Sequence, residues 1–382
     1  MMMPVFGLPR PDGPYPIGTI KRRFIETTSR TPRSVMVQLW YPAKTPCVAR
    51  GIFGDWPARV ITPGAGVADG THPFLLGFSG WSGSLDDNVA LSSSLASHGL
   101  VVAAVGYPTG TDIPSRWLPM DFSSASAFRT TIQLADRRAR IQAEMATLVR
   151  HAIAQLGNAD PMRQIADRLN TDCVGAFGFS FGGAVAAQAA CHDDCIRAVM
   201  NLDGWVFADA AVQHFVQPLL LVNDDSPLPD QDELHATNAA RRHRAQLTYR
   251  DARWQTAQLA YGGGYEVTIR GSRHVDFSDG PLRLPLRSIA SRRASRARRA
   301  HMIVQAYARN FFGKFLNGQS AALLDSVACG VPDADVKLKV FGCPAWPMGR
   351  QSGGAFTVPP AARDDPADRR RTTAMTQGNA TP

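Results

Sequence analysis

The sequence predicts an α/β fold with a mostly parallel central sheet and helices on both faces. Three observations predict it. Short apolar runs alternate with stretches of helical periodicity along most of the 382 residues. Those runs are continuously apolar, as parallel strands buried on both faces are. Polar residues of catalytic type gather just past the carboxyl ends of the runs, where ligands bind in sheets of this kind.

The elements follow in order. Residues 1–16 are rich in Pro and Gly and are expected to be flexible, and one main domain is expected over 17–345. Residues 34–41 form a β run with Val35, Val37, Leu39 and Tyr41 on one face, and residues 20–25 are its candidate hairpin partner. Residues 73–78 are an apolar strand that ends in Ser79-Gly80-Trp81-Ser82-Gly83. A helix then runs to Ser97, where His98-Gly99 is a glycine stop signal, and residues 100–105 are the next strand. Residues 107–130 contain Pro108, Pro114 and Pro119 and are expected to be irregular and near the site. A long helix is expected over 132–156, with Leu134, Ile141, Met145, Leu148, Val149 and Leu156 at helical spacing. Cys173, Val174, Ala176 and Phe177 mark a buried strand leading into an Ala-rich helix. Further strands over 196–202, 218–223 and 265–269 and a closing helix over 303–316 complete the pattern. The polar segment 346–382 is expected to be disordered.

Chemistry enters at Gly178-Phe179-Ser180-Phe181-Gly182-Gly183, a G-x-S-x-G sequence between a strand and a helix. A serine exposed on so sharp a turn needs neighbours without side chains, and Gly178, Gly182 and Gly183 meet that need. A serine hydroxyl is a weak nucleophile at neutral pH, so it needs a base within reach and an acid to orient the base. The expected chain order is Ser, then acid, then His. Of the histidines after Ser180, His274 follows the last strand directly, where such a fold places its base. For the acid the pattern leaves Asp203, Asp224 and Asp225 open, with a slight preference for Asp224 because the acid commonly follows the later strand. The oxyanion hole needs two amide donors: the residue after the nucleophile, Phe181, and one from the loop after the 73–78 strand, for which Trp81 is chosen.

Composition bounds the rest. A hydrophobic content of 45% suits a globular core, and no run reaches the ~18 apolar residues of a membrane span. The first residues carry no charged and apolar leader pattern, so a cytoplasmic protein is expected. The six cysteines show no zinc-finger spacing, and Cys191-His192-Asp193-Asp194-Cys195 reads as a turn rather than a metal site. Neither metal nor organic cofactor is expected. The net charge of +9 is concentrated in a basic segment over 280–300, between Arg283 and Arg299. It lacks interleaved aromatics, so no nucleic-acid partner is expected; it reads as a solvated loop leading into a basic helix face, with a weak contact to an anionic membrane surface as the alternative.

The residues resemble a known family. Gly13-Pro14-Tyr15-Pro16-Ile17-Gly18-Thr19, Val37-Gln38-Leu39-Trp40-Tyr41-Pro42, Leu95-Ala96-Ser97-His98-Gly99, the Ser180 segment, Leu202-Asp203-Gly204-Trp205 and Ile269-Arg270-Gly271-Ser272-Arg273-His274 carry the likeness. Together they resemble the plasma-type (group VII) platelet-activating-factor acetylhydrolases and their bacterial esterase relatives, within the α/β-hydrolases. The resemblance implies an α/β-hydrolase fold and a serine esterase with Ser180 as nucleophile, His274 as base and Asp203 as acid, since the family's acid lies in its L-D-x-W stretch. It also implies Trp81 as second oxyanion donor. Phe179 stands where relatives often have His, and so does Ser79; both changes reshape the pocket, which Trp205 and Phe179 are expected to line. The implied substrates are short-chain acyl or acetyl-phospholipid-type esters. A cutinase-like polyester hydrolase and a non-catalytic binding protein of the same fold are the alternatives.

Overall fold

Every residue of β4 (His72–Phe78) is buried, as a continuous apolar run requires of a strand covered on both faces. The structure is a computed structural model that describes residues 8–27, 31–44, 61–111, 113, 119–283, 291–325 and 336–342. Around β4 lie β1 (Ile17–Glu26), β2 (Arg33–Pro42), β3 (Ile61–Pro63), β5 (Val101–Val105), β6 (Leu169–Phe179), β7 (Ile196–Leu202), β8 (Leu219–Asn223), β9 (Gly264–Ile269) and β10 (Val336–Phe341). Among the described residues they form one sheet in the order β10-β9-β8-β7-β6-β4-β5-β2-β1-β3. From β5 through β4 and β6 to β9 every pairing is parallel, and antiparallel strands flank this block at β2 and β10.

The helices are α1 (Val89–Ser97), α2 (Ala125–Ala154), α3 (Arg163–Ala166), α4 (Phe181–Ala190), α5 (Gln231–Leu234), α6 (Ala239–Gly262), α7 (Arg292–Asn317) and α8 (Ala322–Asp325). Strand periodicity decides which helix each side chain meets. Phe74, Leu76 and Phe78 of β4 join Val174 and Ala176 of β6 in a core closed by α2, α4 and α6. Leu75 and Phe177 point the other way, into a core closed by α1 and α7. The sheet is therefore covered on both faces, as expected. The chain winds outward from β4 to β5 in one direction and from β6 to β9 in the other. The carboxyl ends of β4 and β6 thus lie at a topological switch point, the crevice where open α/β sheets bind ligands.

Several elements depart from the sequence reading. The long helix starts at Ala125 rather than 132, because the Ser124 hydroxyl caps it by accepting from the Ala127 amide at 3.1 Å. Residues 125–130 of the segment expected to be irregular are therefore helical. The closing helix starts at Arg292 rather than 303. Its first turns bury only Ala294, Ala297 and Ala300, so arginines hid the apolar face. α6 was not anticipated: it buries Leu247, Trp254 and Leu259 but also His243, Asp251 and Gln258, which blurs the periodicity. Of the leading segment expected to be flexible, Gly13 and Tyr15 are tied to Ser97 at the end of α1. The 346–382 tail and residues 284–290 of the basic segment lie outside the described residues.

Candidate active site

β6 ends at Phe179 and α4 begins at Phe181, so Ser180 alone makes the turn. It does so at φ 54°, ψ −122°, a conformation that costs a non-glycine residue about 1–3 kcal/mol. Its amide donates to Leu202 O at 2.8 Å and its carbonyl accepts from Gly183 N at 2.9 Å. The turn closes only because its neighbours lack side chains. A Cβ on Gly178 would lie 2.1 Å from the Gly182 carbonyl, and one on Gly204 would lie 2.1 Å from Ser180 O. Gly204 belongs to the β7 end, which the G-x-S-x-G pattern does not include.

The ends of β7 and β9 bring two further side chains to Ser180. His274 Nε2 lies 3.0 Å from Ser180 Oγ, and His274 Nδ1 lies 2.6 Å from Asp203 Oδ2. The partners assign the tautomer: Nδ1–H donates to the carboxylate and Nε2 accepts from the hydroxyl. Asp203 also sits at φ 54°. Its loop is pinned by buried Asn201, whose side chain bonds both the amide and the carbonyl of Gly204 at 2.9 Å. Asp224, which the strand pattern slightly preferred as the acid, does not meet the imidazole. Its carboxylate accepts from the His274 backbone amide at 2.9 Å, and its own amide donates to Asp203 Oδ1 at 3.1 Å. Asp225 accepts from Gly271 N at 3.0 Å, which holds its carboxyl below the usual range with help from Lys337.

The loop that carries His274 is anchored from behind. Asp276 is fully buried, accepts from Arg273 N at 2.9 Å and pairs with Arg296 of α7. Asp279, also fully buried, accepts from the Val89 amide at the start of α1 at 2.8 Å. Burial pushes its carboxyl up to about 7, against the opposing pull of Arg283 and the α1 amides. The basic segment is thus partly spent on the fold: Arg283 and Arg296 hold these acids, and Arg299 donates to Arg270 O.

The loop after β4 lies beside the start of α4. Gly83 N donates to Gly80 O at 3.0 Å, and the Ser82 hydroxyl donates to Asp87 at 2.9 Å. Burial raises the Asp87 carboxyl, and the Ser82 hydroxyl bond opposes the rise. The rings of Trp81 and Phe181, the two proposed oxyanion donors, meet edge to face at 4.8 Å. Phe179, largely buried, tilts over the imidazole of His274 at 4.9 Å. Trp205 is half-buried, donates through Nε1 to Thr248 at 3.2 Å and meets Phe122 edge to face at 6.0 Å. Beyond Phe122, a groove of about 450 Å³ is lined by Phe128 and Ile132 of α2 and Leu247 of α6 together with Arg129, Gln133, Gln246 and Arg250. Phe122 and Asn201 escaped the sequence reading; only their places beside Trp205 and Gly204 reveal them.

The Cys191–Cys195 stretch is a turn in which His192 and Asp193 each have a partner. Asp193 pairs with buried Arg150 at 3.1 Å, and His192 bonds Asp209 at 2.8 Å. Among the described residues no group of His, Cys, Asp and Glu could hold a metal ion, and no helix is long and apolar enough to cross a membrane.

The comparisons with known proteins agree with the likeness read from the sequence. The family model of platelet-activating factor acetylhydrolase, isoform II, matches residues 140–288, which include Ser180, Asp203 and His274. The platelet-activating factor acetylhydrolase of Bos taurus is 25% identical over 215 residues, covering 50% of this chain and 44% of the relative. That of Canis lupus familiaris is 23% identical over 215 residues, with the same coverage. The matched part is thus less than half the length of either relative. Among solved structures, a ferulic acid esterase from Streptomyces cinnamoneus aligns with a TM-score of 0.60 at 20% identity, over 87% of this chain and 98% of that one. The chain resembles the platelet-activating factor acetylhydrolases, and its fold is that of an α/β-hydrolase.

Proposed function

We propose that this chain is a serine carboxylic-ester hydrolase working through Ser180, His274 and Asp203. One observation carries the reading: the hydrogen-bonded row in which Ser180 Oγ, His274 Nε2, His274 Nδ1 and Asp203 Oδ2 follow one another at 3.0 and 2.6 Å across the imidazole. In this reading Ser180 Oγ attacks the ester carbonyl carbon while His274 Nε2 takes its proton. Asp203 orients the ring and stabilises the imidazolium. The amides of Trp81 and Phe181 receive the oxyanion, at the positive end of α4. Collapse expels the alkoxide, which takes the proton from His274. Water, deprotonated by His274, then attacks the acyl-enzyme; collapse frees the acid, and His274 returns the proton to Ser180 Oγ. These steps draw on side chains, backbone amides and water alone.

The substrates proposed are short-chain acyl esters, including acetyl-phospholipid-type esters, in a pocket lined by Phe179, which tilts over His274, and by Trp205, two residues past Asp203. The test is hydrolysis of p-nitrophenyl esters from acetate to long acyl chains, beside an acetyl-phospholipid. In Ser180→Ala a loss of roughly 10⁶-fold is expected. Retention of activity, or failure of wild type to take a serine-directed phosphonate, sinks the reading. The His274 side chain is 45% exposed, and that openness favours a second reading, cleavage of a polyester. Release of soluble acid from an aliphatic polyester film by wild type but not by Ser180→Ala would establish it.

A further inference from the structure

The chemistry proposed above leaves a buried cation unexplained. Arg138 lies in the middle of α2 and is 2% exposed. A guanidinium stays charged at any ordinary pH, and burying it carries a heavy desolvation penalty unless it is paired. Among the described residues Arg138 forms no ion pair with a carboxylate, and its Nε and Nη1 have no hydrogen-bond partner of ordinary geometry; burial disfavours its charge, and the neighbouring Tyr107 hydroxyl supports it. Its surroundings are aromatic. The guanidinium carbon lies 4.1 Å from the ring centre of Trp81, 4.5 Å from that of Tyr107 and 5.5 Å from that of Phe181. Nη2 donates one hydrogen bond, to the carbonyl of Trp81 at 3.1 Å.

A methionine or leucine would fill this place without the desolvation or the unmet donors. What an arginine adds is a simultaneous hold on the two segments that supply the oxyanion donors. It grips Trp81 through both carbonyl and ring, and Phe181 through its ring. The Trp81 and Phe181 rings also touch each other. α2 is itself docked at the end of β5, where Gln142 donates to Val105 O and Gly106 O at 3.4 and 3.5 Å, next to Tyr107. A cation this buried cannot reach substrate.

We propose that Arg138 is a positioning residue for the oxyanion hole. It holds the Trp81 peptide and the Phe181 ring in one arrangement, and it places a positive charge behind the point where negative charge develops in the transition state. The inference rests on the reading that Ser180 attacks an ester carbonyl.

The test uses Arg138→Met and Arg138→Lys beside wild type and Ser180→Ala. Active sites are first counted by labelling to completion with a serine-directed phosphonate. The kcat and KM per counted site are then measured on a short-chain p-nitrophenyl ester, together with inhibition by a trifluoromethyl ketone, which forms a tetrahedral adduct with the serine. Arg138→Met is expected to lower kcat per site about 10- to 100-fold with KM within about threefold, and to weaken the ketone by a similar factor. Arg138→Lys keeps the charge but not the planar fork, and is expected to recover part of the loss. A kcat per site within twofold of wild type, whatever the melting temperature, overturns the proposal. If Arg138→Met does not fold, Tyr107→Leu removes one wall of the cage and leaves the cation. A three- to tenfold lower kcat per site there supports the proposal, and an unchanged kcat overturns it. A wild type that neither labels nor hydrolyses overturns the esterase reading itself, and this inference with it.

Discussion

Two arginines on α2 meet the same problem in opposite ways. Arg138 and Arg150 are both almost wholly buried, at 2% and 5% exposed. Arg150 reaches Asp193 through Nε at 3.1 Å and Nη2 at 3.2 Å, and donates through Nη1 to Thr171 O at 3.0 Å. Thr147 adds a hydrogen bond to the same carboxylate at 3.2 Å. Arg138 has one carbonyl and a set of aromatic faces. Arg150 closes the back of the sheet between α2, the start of β6 and the turn after α4, far from Ser180. There a charge is kept because its pair is complete. Beside Trp81 and Phe181 no carboxylate pairs with the cation, and under the proposal above its positive field stays available to a developing anion instead of being cancelled. The difference separates a buried charge neutralised within the fold from one that the proposal assigns to the chemistry.

The largest effect should come from the paired side. Arg150→Met leaves Asp193 buried without its cation and is expected to cost about 3–5 kcal/mol in denaturant unfolding, with kcat per labelled site unchanged. A cost below about 1 kcal/mol would break the comparison, because the pair would then carry no stability. The double variant Arg150→Met with Asp193→Leu removes both charges, and its unfolding free energy should return to within about 1–2 kcal/mol of wild type. If the double variant is as unstable as the single one, the loss lies in packing rather than in an orphaned acid. Arg138→Met loses one hydrogen bond and the stacked faces but also the desolvation of an unpaired cation, so its unfolding free energy should stay within about 1 kcal/mol of wild type or rise. Arg138 thus ranks second for stability and first for kcat, and equal rankings in both assays would erase the distinction.

The smallest effect sharpens the comparison from the acid side. Asp279 is a buried carboxyl between α1 and the His274 loop, with Arg283 and His301 as its charged or titratable neighbours. Its pKa is raised to about 7, chiefly by burial. An acid whose folded pKa lies above its unfolded one contributes stability below the unfolded value and loses it as pH rises through the folded value. The window therefore runs from about pH 4 to about pH 7. Asp279→Asn keeps the shape without the titration, so its melting temperature relative to wild type should rise across that window. A difference that stays constant from pH 4.5 to 8 would show that Asp279 does not titrate there.

How much of this was legible in the sequence depends on how local each signal is. The turn at Ser180 is written in adjacent residues, because a strand, a tight turn and a helix each leave a mark within a few positions. His274 could be picked because it directly follows a strand. The acid was different. Asp203 and Asp224 both follow parallel strands, and chain order cannot tell which strand end turns its carboxylate toward the imidazole and which bonds the His274 amide instead. Only the likeness to a known family pointed to Asp203. The Ala face of α7 and the polar burial in α6 were hidden because hydrophobic periodicity counts large apolar residues, and those helices bury small or polar ones.

The sequence by itself therefore determined the class of fold, the place of the elbow and the order of the candidate chemical groups, since each rests on residues near one another along the chain. Tertiary structure decided what the local pattern left open: which acid meets His274, which glycine besides those of the motif lets the elbow close, and what surrounds Arg138. The reason is geometric. An arginine in a helical stretch reads as a surface residue until the loops after β4 and β5 and the start of α4 converge on it, and no local pattern records that convergence.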